Sequence, residues 1–258
     1  MKIASILLSL FIGAMPSAYQ NETRYGLPPD ALIVEERSLQ PEGYGDRALI
    51  LWMIKPERHP NEYDPDDPYT CPDETRGSYY RGPARVSLIN SKTRSAINTI
   101  EIRQEYEDGE DRFDLPYAIR EGYYYKVRGK PKDGEEVKPH IIWLKDYNGD
   151  GKGLEFALFD ALACMGLPTT LIGYSERQDK VIQYEIALEV KGDDNRSTEV
   201  SHWCDYLFGK KPAAAGYWKY EIDYRGRGGT LDSYEIRYNA QKERFEGTYV
   251  WTMAGGVK

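Results

Sequence analysis

The chain has 258 residues, with 34 basic against 42 acidic side chains, a formal net charge of −8 and a pI near 5.1. So acidic a balance excludes ordinary phosphate-backbone recognition, and no nucleic-acid partner is expected. With 24 Gly, 15 Pro and 22 Tyr it does not read as a helical bundle, and 40% apolar residues is too many for a disordered chain.

At the start, Met1-Lys2 precedes an apolar run over residues 3–15 (IASILLSLFIGAM), with small residues at Ala14, Ser17 and Ala18. The run has the length of a signal-peptide core and is too short to cross a hydrocarbon layer of about 30 Å as a helix. Residues 1–18 are therefore expected to be a cleaved signal peptide, and 19–258 a single β-rich domain. No Cys follows the run to carry a lipid, and no later stretch has the length of a membrane span. The expected location is secreted or periplasmic, with no membrane anchor.

Periodicity then predicts strands almost throughout. Arg47–Ile54 (RALILWMI) is a continuous apolar run, the pattern of a strand buried on both faces. Residues 86–90 with 96–102, 171–174 with 181–186, and 234–238 with 244–250 each alternate around a short polar turn, as antiparallel hairpins do. Further strands are expected at 112–119, 122–127, 140–145, 155–159 and 217–224. Helix is scarce: 159–165 (FDALACM) is the best candidate, and 199–208 a weaker one. The fold class is mainly β, an antiparallel β-sandwich or meander of hairpins with at most one or two short helices.

Between the first strands lies a long loop, 55–77, with Pro56, Pro60, Pro65, Pro68 and Pro72 beside seven acids. Prolines at this density oppose regular ladders, and so long a loop is a solvated cover or a binding element. Cys71, Cys164 and Cys204 allow one disulfide with a thiol left over, as an exported chain permits. Three pairings are open. Cys71–Cys164 is the one favoured, since it would pin this loop beside the strand that follows the acidic segment.

That acidic segment is the most specific local signal: Asp146-Tyr-Asn-Gly-Asp-Gly-Lys-Gly-Leu-Glu155. Asp146, Asn148 and Asp150 place side-chain oxygens at alternate positions, Gly151 permits a sharp turn, and Lys152 follows with a backbone carbonyl. Hard cations take such oxygens from alternate residues of a tight loop. The pattern resembles the Asp-x-Asn-x-Asp-Gly calcium loops of EF-hand, dockerin and FG-GAP-type repeats, a likeness that implies a calcium ion and not a fold. An EF-hand would carry its bidentate acid at Ala157. Glu155 is the acid available here, at the start of a predicted strand, so the comparison shifts to calcium loops between strands. Without an ion, the same residues would make paired Asn-Gly and Asp-Gly turns. An NGDG loop followed by Glu-Phe is also similar to exported bacterial β proteins that have no assigned activity.

Beyond the loop, Trp218, Tyr220, Ile222 and Tyr224 share one face of a predicted strand, a spacing more common in cores than in ligand platforms. Arg225 and Arg227 follow in a Gly-rich loop; such forks hold an anion or pair with a nearby acid such as Asp223 or Asp232. Tyr79-Tyr80 and Tyr123-Tyr124-Tyr125 must place rings on both sheet faces, which suits contact with a glycan or an extracellular protein. The chain has no GxSxG, HExxH, Walker or GxGxxG motif, and only three His. The expected function is a calcium-stabilised binding or structural protein. The alternative is a secreted hydrolase acting on polysaccharide through an Asp/Glu pair, which leaves no short motif.

Overall fold

The computed structural model describes residues 24–39, 42–43, 45–59, 79–103, 113–116, 140–159, 167–192 and 195–253. The expected signal peptide, most of the 55–77 loop, Cys71, Cys164 and the 122–127 strand lie outside the described residues. Among the described residues, sixteen strands follow in chain order: β1 (Ala31–Leu39), β2 (Arg47–Ile54), β3 (Glu57–His59), β4 (Tyr79–Gly82), β5 (Ala84–Asn90), β6 (Ser95–Glu101), β7 (Phe113–Pro116), β8 (Glu155–Phe159), β9 (Pro168–Ser175), β10 (Lys180–Gln183), β11 (Ile186–Gly192), β12 (Asn195–Ser201), β13 (Cys204–Asp205), β14 (Tyr217–Asp223), β15 (Thr230–Asn239) and β16 (Arg244–Met253). Helix among the described residues is limited to three short 3₁₀ turns, at Arg24–Gly26, Leu207–Gly209 and Arg225–Arg227. None is long and apolar enough to cross a membrane.

The strands form β-sheets that stack in a sandwich-like arrangement. One has the order β1-β2-β5-β6, a second β10-β9-β13 with β8 also on β9, and a third β12-β11-β16-β15-β14; a small sheet, β3-β4-β7, continues the strands of the first. The second sheet is the middle layer. On β8 and β9, Phe156, Leu158, Ile172 and Tyr174 pack with Leu49, Leu51, Met53, Val86 and Leu88 of the first sheet. Their alternate neighbours Ala157 and Leu171 turn the other way, into a core with Leu188, Trp218, Ile236 and Phe245 of the third. This is period-two patterning with both faces covered.

The same logic explains the unbroken apolar run of β2. Leu49, Leu51 and Met53 face the middle layer. Ala48, Ile50 and Trp52 face the opposite side, where Tyr25, Leu27 and Ala31 from the N-terminal segment cover them. The Trp52 indole N–H reaches the buried Ser87 hydroxyl at 2.9 Å, so the ring is buried without an orphaned donor. Where β6 runs beside β10, the Asn98 amide takes the place of a strand partner. It donates to the Val181 carbonyl at 2.8 Å and accepts from the Val181 N–H at 2.9 Å.

Several expectations need correction. The 171–186 hairpin ends at Gln183; Ile186 opens a separate strand that moves to the third sheet and pairs in parallel with β16. The 140–145 segment is not a strand. The buried carboxylate of Glu35, at a register shift in β1, accepts the Ile141 and Ile142 N–H groups at 2.5 and 3.0 Å and so replaces a ladder. The 199–208 helix is instead the end of β12, the short β13 and a 3₁₀ turn. Despite the prolines, Glu57–His59 pairs with β4. Phe159 closes β8, and the rest of the 159–165 helix candidate lies outside the described residues.

Candidate functional site

The 146–155 loop projects between a bridge and a strand. Lys145 and Glu155 exchange backbone hydrogen bonds at 2.8 and 3.3 Å, closing the loop immediately before β8. Within it the side-chain oxygens turn onto the backbone. Asp146 accepts from Gly149 N–H at 2.7 Å and from Gly151 N–H at 2.9 Å. Asn148 Oδ1 accepts from Asp150 N–H at 2.9 Å, and Asp150 Oδ1 from Lys152 N–H at 2.8 Å. These are nested Asx turns, the local preference of Asn and Asp before Gly. Gly149 and Gly151 sit at φ +82° and +87°, where a side chain is disfavoured.

Gly149 has a second reason to be glycine. A Cβ there would stand 2.8 Å from the Ala215 carbonyl carbon and the Gly216 nitrogen, and one at Gly216 would stand 2.5 Å from the Asn148 carbonyl oxygen. The loop is therefore docked, backbone on backbone, against the turn leading into β14.

Glu155 is the unusual member. It is fully buried, and its carboxylate accepts from Tyr147 N–H at 3.0 Å and from the Asn148 amide at 3.0 Å. Burial pushes its proton affinity up to about 8; the nearby Asp150 and Asp146 charges add to this, and the hydrogen bonds from Tyr147 and Asn148 oppose it. The adjoining Tyr147 hydroxyl is pushed up to about 12, first by burial and then by Glu155. Lys152 turns its ammonium outward to pair with Glu176.

The loop thus brings Asp146, Asn148, Asp150 and Glu155 into one hydrogen-bonded group. It does not draw their carboxylates to ligand distance: among the described residues, no three His, Cys, Asp or Glu side chains stand close enough to hold a metal ion. The donor set is all oxygen, which suits calcium and not zinc or copper. Each carboxylate oxygen that accepts one N–H bond keeps a further lone pair for an ion.

The other sites resolve as follows. Arg225 closes on Asp223 through two bonds of 2.9 and 2.7 Å, so its fork is occupied within the chain; the Arg227 side chain lies outside the described residues. Cys204 is a free thiol, buried, 3.5 Å from the Tyr220 hydroxyl. Burial pushes it up to about 12, the opposite of a reactive thiolate. The Trp218 stripe is core: Trp218 is 1% exposed, and Tyr220, Tyr234 and Tyr249 stack across three strands at 4.8 and 4.6 Å. Tyr224 falls beyond the end of β14.

Sequence reasoning missed Glu35 and Asp205, and named Asp232 only as a partner for the nearby arginines. Asp232 is buried and accepts from Thr230 and Tyr249 at 2.5 and 3.1 Å. Asp205 has its proton affinity raised by burial, and further by the charge of Asp232. Asp232 shares the period-two face of Tyr234 and Ile236, and that spacing is the signal that could have marked it as buried. Comparison with protein-family models, with characterised proteins and with solved structures finds no match.

Proposed function

We propose that the chain is an exported β-rich binding or structural protein, for a glycan or an extracellular protein, whose 146–155 loop is held in shape by calcium. The observation that carries this reading is Glu155, a fully buried acid at the closing bridge of a loop that also holds Asp146 and Asp150. Three acids in one short loop repel one another unless a proton or a cation intervenes. Calcium takes about six to eight oxygens at roughly 2.3–2.6 Å. It would gather the Asp146, Asp150 and Glu155 carboxylates with Asn148 Oδ1 and the Lys152 carbonyl. The benefit would be mechanical, because the loop abuts the turn before β14. An ion there ties the middle layer to the edge of the third sheet and leaves the outer surfaces free to bind.

The test is thermal unfolding with calcium and with chelator. An ion at a hundred times its Kd stabilises by about 2.7 kcal/mol, or roughly 5–11 °C for a chain of this size. Asp150→Ala should abolish that difference, whereas an unchanged wild-type melting curve would refute calcium binding. The hydrolase reading keeps one specific support: Asp205 Oδ1 is buried with no hydrogen-bond partner among the described residues, within the influence of Asp232. Polysaccharide turnover by the mature protein that is lost in Asp205→Asn or Asp232→Asn would favour it.

A further inference from the structure

Asn195-Arg196-Ser197 has the N-x-Ser pattern of an N-glycosylation acceptor, a modification of surface segments in exported proteins. In the fold it opens β12, where Asn195 pairs with Gly192 at the end of the β11–β12 ladder. Because β12 is the edge of its sheet, residues 196–200 are all exposed, on both faces of the strand.

The row in which Asn195 stands is itself distinctive. Gly192 pairs on its other side with Trp251 of β16, so the backbone register sets positions 195, 192 and 251 in one row across three strands. The Trp251 indole extends across the middle position: a Cβ on Gly192 would stand 1.8 Å from Cε2 and 2.1 Å from Nε1. Glycine at 192 thus lets an aromatic ring lie beside position 195. A pyranose ring has one face rich in C–H bonds, and laying it on an aromatic ring removes apolar surface of both from water.

We infer that Asn195 is an N-glycosylation acceptor and that Trp251 is the ring against which its first sugar packs. The sugar donor is a glycan carried on a lipid diphosphate. The Asn195 amide nitrogen forms a bond to the anomeric carbon, the bond to the diphosphate breaks with its electron pair, and the amide proton passes to a base of the transferase. The edge position supplies a use for the modification. β12 has no bulge or Pro and only Arg196 and Glu199 as charges, so a bulky glycan at its start would obstruct pairing with a second chain. This inference rests on the export reading, since the transfer occurs on the far side of the exporting membrane.

The experiment is mass spectrometry of the protein from its own cells, digested so that the N-terminal peptide and the peptide spanning 190–199 are read together. The expected result is a processed N-terminus together with a glycan on Asn195, which is lost in Asn195→Gln and Ser197→Ala and kept in Ser197→Thr. A processed N-terminus with Asn195 bare overturns the glycosylation and leaves export standing. An intact Met1 overturns both. For the packing, loss of the glycan should lower Tm by about 2–4 °C in the wild type and by clearly less in Trp251→Ala. An equal drop in both backgrounds would remove Trp251 from the inference.

Discussion

Gly216→Ala tests whether the 146–155 loop owes its shape to docking. Gly216 has φ +61°, and a methyl there would lie 2.5 Å from the Asn148 carbonyl oxygen and 3.1 Å from its carbon. Left-handed backbone costs a non-glycine residue about 1–2 kcal/mol. The overlap is with backbone and cannot be relieved by a side-chain rotation, and forcing extra volume into a packed contact costs roughly 1–3 kcal/mol more. The sum is about 2–5 kcal/mol, or roughly 4–20 °C in Tm for a chain of this size. Gly151→Ala is the control, because Gly151 has φ +87° with nothing within 4 Å of its Cβ position; it should show only the backbone cost, about 1–2 kcal/mol. Urea unfolding followed by circular dichroism, with Tm from the same samples, measures both variants. Equal losses in the two would show that strain alone matters and would refute the docking argument.

Two further outcomes follow from electrostatics. Hydrogen bonds from the Arg47 guanidinium, more than any other influence, hold Asp179 below the usual carboxylate range. Its folded pKa lies under its unfolded one, so the stabilisation is complete above about pH 5 and drains as the pH falls through the folded value. Arg47→Met should therefore flatten the acid limb of a Tm-against-pH profile, and an acid limb as steep as the wild type's would count against the pair. The Cys204 thiol, buried and raised to about 12, should resist a thiol reagent at pH 8 in the folded protein and react on unfolding. Rapid labelling of Cys204 under native conditions, located by peptide mapping, would contradict its placement.

What the sequence determined by itself was the local chemistry. Alternation located β5, β6, β15 and β16 as hairpin partners, because period-two patterning is written wherever a strand lies between unlike surroundings. The unbroken apolar run of β2 implied burial on both faces, and Gly after Asn and Asp marked the turns of 146–151. Only tertiary structure decided the rest. No pattern within 181–192 shows that the chain breaks at Tyr184 and leaves one sheet for another, since that depends on which neighbour offers a free edge. No motif marks Glu35 as the acceptor for Ile141 and Ile142, because its partners lie a hundred residues on. Gly192 is ordinary in sequence and is required only because an indole from β16 occupies the place of its side chain. In each case the deciding interaction joins residues far apart along the chain, and such contacts leave no periodic trace in either partner.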